Sequence, residues 1–180
     1  FHIPLADYQE GAQLISFFLG PATAVLAYSV YRQIAVLKRH FIPIMTGCLV
    51  GSLTSMLSAF LLCKAFGLDE AVTMSMLPKS VTTPIAMSLS EELGGITSVT
   101  VAVVIATGIM GSILAPTLIK VFHVKSPIAA GVAIGTCSHA IGTSRAMQLG
   151  EIEGAMSGIA IGVSGLLTMI LALLYHSMMM

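Results

Sequence analysis

Charged residues divide the chain into long apolar runs. Five runs carry no charge, and a sixth carries only Lys79. In chain order we call them segments a (Gly11–Tyr31), b (Phe41–Cys63), c (Ala71–Ser90), d (Leu93–Ile119), e (Ser126–Ser144) and f (Gly154–Met180). A helix needs about 20 apolar residues to cross a bilayer, whereas buried strands are usually about 4–8 residues long. The pattern therefore predicts an all-α polytopic membrane protein with about six membrane segments.

Composition supports the membrane assignment. The chain is 56% hydrophobic and 9% charged, while soluble domains carry about 25% charged residues. The formal net charge of +0 gives no indication of a nucleic-acid partner. Cys48, Cys63 and Cys137 lie inside apolar runs without metal-ligand spacing, which indicates small packing residues. Because the sequence begins at Phe1 without an initiator Met or a signal peptide, we expect further segments upstream in a longer protein.

Small residues recur every four positions in three segments. They are Gly47, Gly51 and Ser55 in b, Gly131 and Gly135 in e, and Gly158 and Gly162 in f. This spacing lets helix backbones approach closely in lipid. The alternative is that glycine is simply common in membrane helices.

Segments c and e differ from ordinary membrane spans. Segment c contains Pro78-Lys79-Ser80-Val81-Thr82-Thr83-Pro84, and segment e leads through Gly135 and Gly142 to Arg145. Proline and glycine free backbone groups that lipid cannot satisfy. We therefore predict that c and e are broken or re-entrant, with breakers at Pro78, Pro84, Gly135 and Gly142. The interruptions should fall near Thr82–Pro84 and Gly142–Ser144.

The two polar segments also match each other. A shift of 60 residues gives six identities over the twelve positions that begin at Thr83 and Thr143. The identical pairs are Thr83/Thr143, Ala86/Ala146, Met87/Met147, Leu89/Leu149, Glu91/Glu151 and Gly94/Gly154. We infer one membrane domain over residues 1–180, with repeat units of approximately 71–121 and 127–177.

Positive charge suggests how the repeats are oriented. Arg32, Lys38 and Arg39 place the loop between a and b in the cytoplasm. If c is re-entrant, Lys120 and Lys125 return to the same side and the repeats are inverted. That arrangement, with two broken segments meeting near the midplane, is typical of secondary transporters. If c crosses the membrane, the repeats are parallel, and this alternative stays open.

The polar groups of c and e suit a small carboxylate. A cation inside the bilayer usually marks a pathway or a counter-ion, and half-helix N-termini add partial positive charge. His139 could carry a proton during symport. The predicted substrate-binding residues are Lys79, Thr82, Thr83, Ser138, His139, Thr143, Ser144 and Arg145. Each residue also has an alternative interpretation. The Lys79 and Arg145 side chains extend to the membrane interface, His139 forms a hydrogen bond between two helices, and the hydroxyls bond backbone carbonyls.

Catalysis has little support in the sequence. All acidic residues, from Asp7 to Glu153, fall at expected interfaces, so a buried Ser–His–acid set is missing. No metal-ligand cluster and no phosphate-binding loop occurs. The sequence therefore predicts no enzyme activity, no catalytic residue, no metal and no cofactor.

The motifs resemble the LrgB/CidB family of bacterial membrane proteins. They are Leu19–Thr23, Lys79–Ala86 and Ser138–Ala146, and the likeness covers essentially the whole chain. The resemblance implies a multi-pass protein of the bacterial cytoplasmic membrane with a small LrgA/CidA-like partner. It implies a holin- or antiholin-like role in murein hydrolase control and lysis. The family is also similar to a plastid glycolate/glycerate translocator and is linked to pyruvate uptake.

Two main functions follow from these observations. The first is secondary transport of small monocarboxylates or hydroxy acids, coupled to protons or sodium. The second is a pore or pore modulator, which needs an oligomerising surface but no single binding cavity. The intramembrane cations, the paired breakers and the repeat favour transport. A role as an accessory membrane subunit is a third alternative. We expect a lipid-embedded homo-oligomer.

Overall fold

The computed structural model describes residues 31–179 and the isolated positions Phe17, Pro21, Ala24 and Tyr28. Most of segment a lies outside the described residues. The described chain is helical and contains no strand, which confirms the all-α prediction. Its helices are α1 (Ile34–Arg39), α2 (Phe41–Ala65), α3 (Glu70–Met76), α4 (Thr83–Glu92), α5 (Thr97–Val121), α6 (Pro127–Leu149) and α7 (Glu151–Met179).

Three of these helices are long and apolar enough to cross a membrane. They are α2, α5 and the Glu151–Tyr175 part of α7, with 25 residues each. At 1.5 Å per residue each is roughly 37 Å long, which exceeds the roughly 30 Å of hydrocarbon. They correspond to segments b, d and f. The structure thus supports a multi-pass membrane protein, while the count of six segments stays a prediction.

Segment c consists of two short helices. Asp69 caps α3 by accepting a hydrogen bond from the Val72 amide at 2.9 Å. Residues 77–82, including Pro78, then interrupt the helix, and α4 starts at Thr83. The prediction of a broken segment is confirmed, but the interruption lies earlier than Thr82–Pro84. Pro84 stands in the first turn of α4, where an amide hydrogen is not needed, so it begins a helix instead of breaking one.

Segment e is broken at His139. This residue has φ 42° and ψ −141° inside α6, whereas Gly135 and Gly142 lie in its helical parts. The predicted interruption near Gly142–Ser144 is therefore wrong. Gly142 serves packing instead, because a Cβ there would overlap the Ser138 side chain and lie 3.0 Å from Ile134 Cγ2. Gly135 likewise lets α6 approach α7, where a Cβ would lie 2.9 Å from that of Ala160.

Segment c is a re-entrant hairpin, which we call hairpin c. The Thr100 hydroxyl of α5 lies 3.0 Å from the Ser75 carbonyl and 2.6 Å from the Ser90 hydroxyl. Ser75 precedes the interruption and Ser90 follows it, so both limbs meet one turn of α5. A segment that crossed the bilayer would hold these two residues near opposite surfaces.

Segment e, hairpin e, folds back in the same way. A Cβ at Gly131 would lie 3.0 Å from the Glu153 Cα, and a Cβ at Gly154 would lie 3.0 Å from the Met147 Cα. Gly131 and Met147 stand on either side of the break at His139. Both limbs therefore reach the first turns of α7.

The two hairpins enter the bundle from opposite ends. His40 and Ser126 line one cavity, and Arg32 lies 3.5 Å from Glu151. The base of hairpin e is thus at the end where α2 begins. Hairpin c starts where α2 ends, after a link over residues 66–69. These contacts agree with the inverted arrangement, and the shift of 60 residues aligns Lys79 with His139.

Both hairpin tips contact α5 at Val104. Val104 of α5 is buried against Val81 and Ala86 of hairpin c, and its carbonyl bonds His139 of hairpin e. On α2, a Cβ at Gly51 would lie 2.6 Å from Thr136 Cγ2. Gly51 thus serves the close packing that its spacing predicts, whereas no heavy atom of the described residues lies within 4 Å of a Cβ placed on Gly162.

Candidate functional site

A broadly open cavity of about 410 Å³ is lined by residues of both hairpin tips and of α5. Hairpin c contributes Lys79, and hairpin e contributes Cys137 and Ser138. The remaining lining comes from α5, through Val103, Ala106, Thr107, Met110 and Gly111. We call this space the central cavity. Among the described residues, its lining has one cation and no acidic side chain, so these residues give it a positive electrostatic character.

Lys79 is held by α2. Its Nζ donates a hydrogen bond to Ser55 Oγ at 3.3 Å, and Ser55 Oγ donates to Ser80 Oγ at 3.1 Å. Ser55 is ten residues from the end of α2, or about 15 Å along the axis. That depth is about half of the hydrocarbon thickness. The interfacial alternative for Lys79 therefore does not fit, and an ammonium at this depth favours an anionic ligand.

His139 joins hairpin e to α5. Its ring is buried, and Nε2 lies 2.9 Å from the Val104 carbonyl oxygen. Because a carbonyl only accepts, Nε2 carries the proton of this bond. Gly108 leaves room for the ring, since a Cβ there would lie 2.7 Å from His139 Cε1. This contact matches the helix-joining alternative, and His139 sits behind the cavity wall next to Ser138.

Two of the predicted hydroxyl ligands bond within the protein. Thr143 Oγ1 donates to the His139 carbonyl at 2.9 Å and lies 2.7 Å from Ser157 Oγ of α7. Ser144 Oγ lies 3.4 Å from the Ala140 carbonyl. The hydroxyls of Thr143 and Ser144 therefore bond backbone carbonyls, as in the alternative interpretation of these residues. Ser138 is different, because it lines the central cavity beside Gly111.

The structure does not bring Arg145 to the central cavity. Its Nη1 donates to Gln148 Oε1 at 2.6 Å, close to Gly150 at the base of hairpin e. Arg145 follows the tip residue His139 by six positions, or about 9 Å of helix. The interfacial alternative therefore fits this residue. Thr82 and Thr83 are also not among the residues that line the cavity, so the expected meeting of Thr83 with Thr143 is not seen.

Sequence reasoning missed two residues of the site. Ser55 was assigned only to helix packing, although a hydroxyl in a Gly-x-x-x-Gly-x-x-x-Ser series was a usable signal. Cys137 was assigned to packing as well, and the structure leaves it exposed on the cavity wall while Cys48 and Cys63 are buried. Neither residue could be placed without knowing that the hairpin tips meet.

The helix ends at the tips add partial charges. The N-terminus of α4 follows Thr82, and the second limb of α6 starts after His139. Helix N-termini carry partial positive charge and C-termini partial negative charge. The inner ends of α3 and of the first limb of α6 are C-termini, so the tips present both signs. Among the described residues, no three His, Cys, Asp or Glu side chains group as metal ligands.

Comparison with known proteins gives one consistent result. The model of the LrgB-like family matches residues 1–178. The protein YxaC of Bacillus subtilis (strain 168) is 39% identical over 167 residues, which cover 93% of this chain and 73% of YxaC. Proteins named antiholin-like protein LrgB, from Bacillus cereus (strain B4264) and Bacillus anthracis (strain CDC 684), are each 42% identical over 164 residues. These residues cover 91% of this chain and 71% of each relative. No solved structure matches the chain.

Proposed function

This chain belongs to the LrgB-like family of multi-pass bacterial membrane proteins, and we propose that it transports small carboxylates through the central cavity. The single observation behind this proposal is Lys79, an ammonium at mid-depth between two hairpin tips in a cavity without an acidic lining. Such a charge is costly in a membrane unless it serves a pathway or a counter-ion.

Lys79 supplies the charge that a carboxylate needs, and Ser138 supplies a hydroxyl. The N-terminus of the second limb of α6 follows Ser138 and His139 and favours negative charge. The volume of about 410 Å³ falls within the roughly 300–1,000 Å³ of small-molecule sites. The similarity of the family to a plastid glycolate/glycerate translocator and its link to pyruvate uptake suggest the substrates that we propose, two- and three-carbon acids such as glycolate, glycerate and pyruvate.

Hairpins that enter from opposite ends offer a route to alternating access. Displacement of hairpin e would open the cavity toward the end where α2 begins, and displacement of hairpin c would open it toward the other end. We propose that a proton or sodium ion drives the cycle. His139, at the tip of hairpin e and next to Ser138, is the proposed proton carrier.

A second candidate is an antiholin-like modulator of lysis, and the names of the relatives favour it more directly than transport. In this role the chain would act on murein hydrolase activity together with a small LrgA-like membrane partner. The apolar outer faces of α2 and α5 would then serve assembly. One protein can have both roles if the control of lysis responds to carboxylate transport.

Uptake into proteoliposomes tests the proposal. Purified protein is reconstituted and supplied with labelled glycolate, glycerate, pyruvate or lactate, while a parallel batch holds an entrapped fluorescent dye. Transport predicts saturable uptake of at least one acid, competition by the others and retention of the dye. Dye release or unselective flux would support the pore alternative. If the proteoliposomes neither take up any acid nor release the dye, the protein has an accessory role.

A further inference from the structure

Among the described residues, three buried side-chain hydroxyls have no hydrogen-bond partner, and two of them, on Ser52 and Thr168, belong to fully buried residues. Ser52 Oγ of α2 and Thr168 Oγ1 of α7 both lack one, and the residues are 1% and 0% exposed. Buried Ser and Thr in helices usually bond the carbonyl one turn earlier, as Thr73 and Ser75 do in this chain. A polar group without a hydrogen bond inside a membrane protein costs free energy. A bound ligand at these oxygens would remove that cost.

The register of α2 and α7 places the two hydroxyls at the same level of the bundle. Helices α2 and α7 run in the same direction, because Ile44 and Cys48 near the start of α2 pack with Ala155 and Met156 near the start of α7. The Phe60 and Tyr175 rings lie 5.6 Å apart near the ends of the two helices. Between these contacts, Thr136 of hairpin e bonds Cys48 at 3.7 Å and Ser164 at 3.1 Å. Ser52 lies one turn beyond Cys48, and Thr168 lies one turn beyond Ser164.

This position lies beside both hairpin tips. Thr136 is three residues before the break in hairpin e, and Ser55, the next inward-facing residue of α2, bonds Ser80 of hairpin c. The inner ends of α3 and of the first limb of α6 are helix C-termini, whose carbonyls carry partial negative charge. Hydroxyl oxygens and carbonyls near broken helices form the kind of shell that holds sodium in secondary transporters.

We propose that Ser52 and Thr168, with Thr136 and Ser164, form a binding site for a sodium ion between α2, α7 and the hairpin tips. These four side chains contain only neutral oxygens, so a divalent cation, which needs carboxylates, is not the expected ligand. Lys79 reaches Ser55 one turn away and opposes a second positive charge. Sodium should therefore bind more tightly when a carboxylate occupies the central cavity, a consequence that rests on the proposed function.

Thermal unfolding of the purified protein tests the site without relying on transport. Unfolding midpoints are measured in detergent while NaCl replaces choline chloride or KCl at constant ionic strength, with and without glycolate. A ligand that binds only the folded state raises the midpoint in a saturable way. We expect sodium to raise it in at least one of the two conditions, and potassium and choline to leave it unchanged.

Variants that remove one hydroxyl at a time test whether the sodium-dependent rise of the unfolding midpoint arises at this site. Thr168→Val removes one oxygen and should raise the half-saturating sodium concentration about tenfold or more, and Ser52→Ala should do the same. Thr168→Ser restores an oxygen and should keep the response, which guards against a folding defect in the valine variant. Thr73→Val is the control, because this equally buried hydroxyl bonds the Asp69 carbonyl away from the site.

Equal stabilisation by all three cations, or no sodium response in either condition, would show that the hydroxyls hold only water and would overturn the site. A sodium response that survives in both Thr168→Val and Ser52→Ala would overturn it as well. If sodium stabilises the protein as expected but proteoliposomes take up no carboxylate, the site stands and the proposed transport fails.

Discussion

Lys79 of hairpin c and Ser55 of α2 are joined by a hydrogen bond from Nζ to Oγ at 3.3 Å. The bond fixes the position of the one ammonium that the described residues contribute to the lining of the central cavity. It also links a helix of the outer bundle to the tip of a hairpin that enters the bundle from one end. The proposed carboxylate site therefore depends on a residue that no polar motif of the sequence contains.

The first prediction concerns Ser55. A hydrogen bond to a charged group contributes about 1.5–3 kcal/mol, so Ser55→Ala should lower carboxylate uptake about tenfold while protein abundance stays near wild type. Ser58→Ala is the matched control, because this exposed serine on the same helix bonds only the Ser55 carbonyl. Normal uptake by Ser55→Ala would show that Lys79 does not need this partner.

The second prediction concerns the contact between Gly111 and Ser138. A Cβ at Gly111 would overlap the Ser138 side chain, and such overpacking costs about 1–3 kcal/mol. Gly111→Ala should therefore lower the unfolding midpoint, and Ser138→Gly in the same protein should restore much of the loss. Gly162→Ala, at a position with open space, should unfold like the wild type. A Gly111→Ala protein as stable as the wild type would mean that hairpin e lies farther from α5.

The third prediction concerns sidedness. Single cysteines introduced as Lys38→Cys and Lys125→Cys, in a background without Cys48, Cys63 and Cys137, should react with an impermeant thiol reagent from the cytoplasmic side only. Asp69→Cys, at the other end of α2, should react from the opposite side. If Lys125→Cys and Asp69→Cys react from the same side, the repeats are parallel.

The sequence predicted the two broken segments and their relation, but not where each break falls. The shift of 60 residues pairs Lys79 with His139, and both residues stand at hairpin tips. The intrinsic conformational properties of Pro84 and Gly142 predict breaks at these residues. Whether a proline starts a helix, or a glycine only makes room for Ile134, depends on neighbours that a pattern of residue types does not identify.

Arg145 illustrates the same limit. Its charge at the end of segment e makes it a candidate for carboxylate binding, yet its guanidinium bonds Gln148 near the base of hairpin e. The depth of a residue in a re-entrant hairpin depends on where the chain turns back, and a break at His139 instead of Gly142–Ser144 moves Arg145 away from the tip. The Thr143 hydroxyl likewise forms a hydrogen bond with the Ser157 hydroxyl of α7.

The most direct test of the account compares two cations in one uptake assay. Lys79→Met and Arg145→Met each remove a positive charge and keep an unbranched side chain. Initial rates of labelled glycolate and pyruvate uptake are measured in proteoliposomes with matched amounts of folded protein. The account predicts that Lys79→Met loses uptake by about a hundredfold, as expected for an unpaired carboxylate in a membrane site, while Arg145→Met stays within a few-fold of the wild type. Normal uptake by Lys79→Met would contradict the central cavity as the carboxylate site.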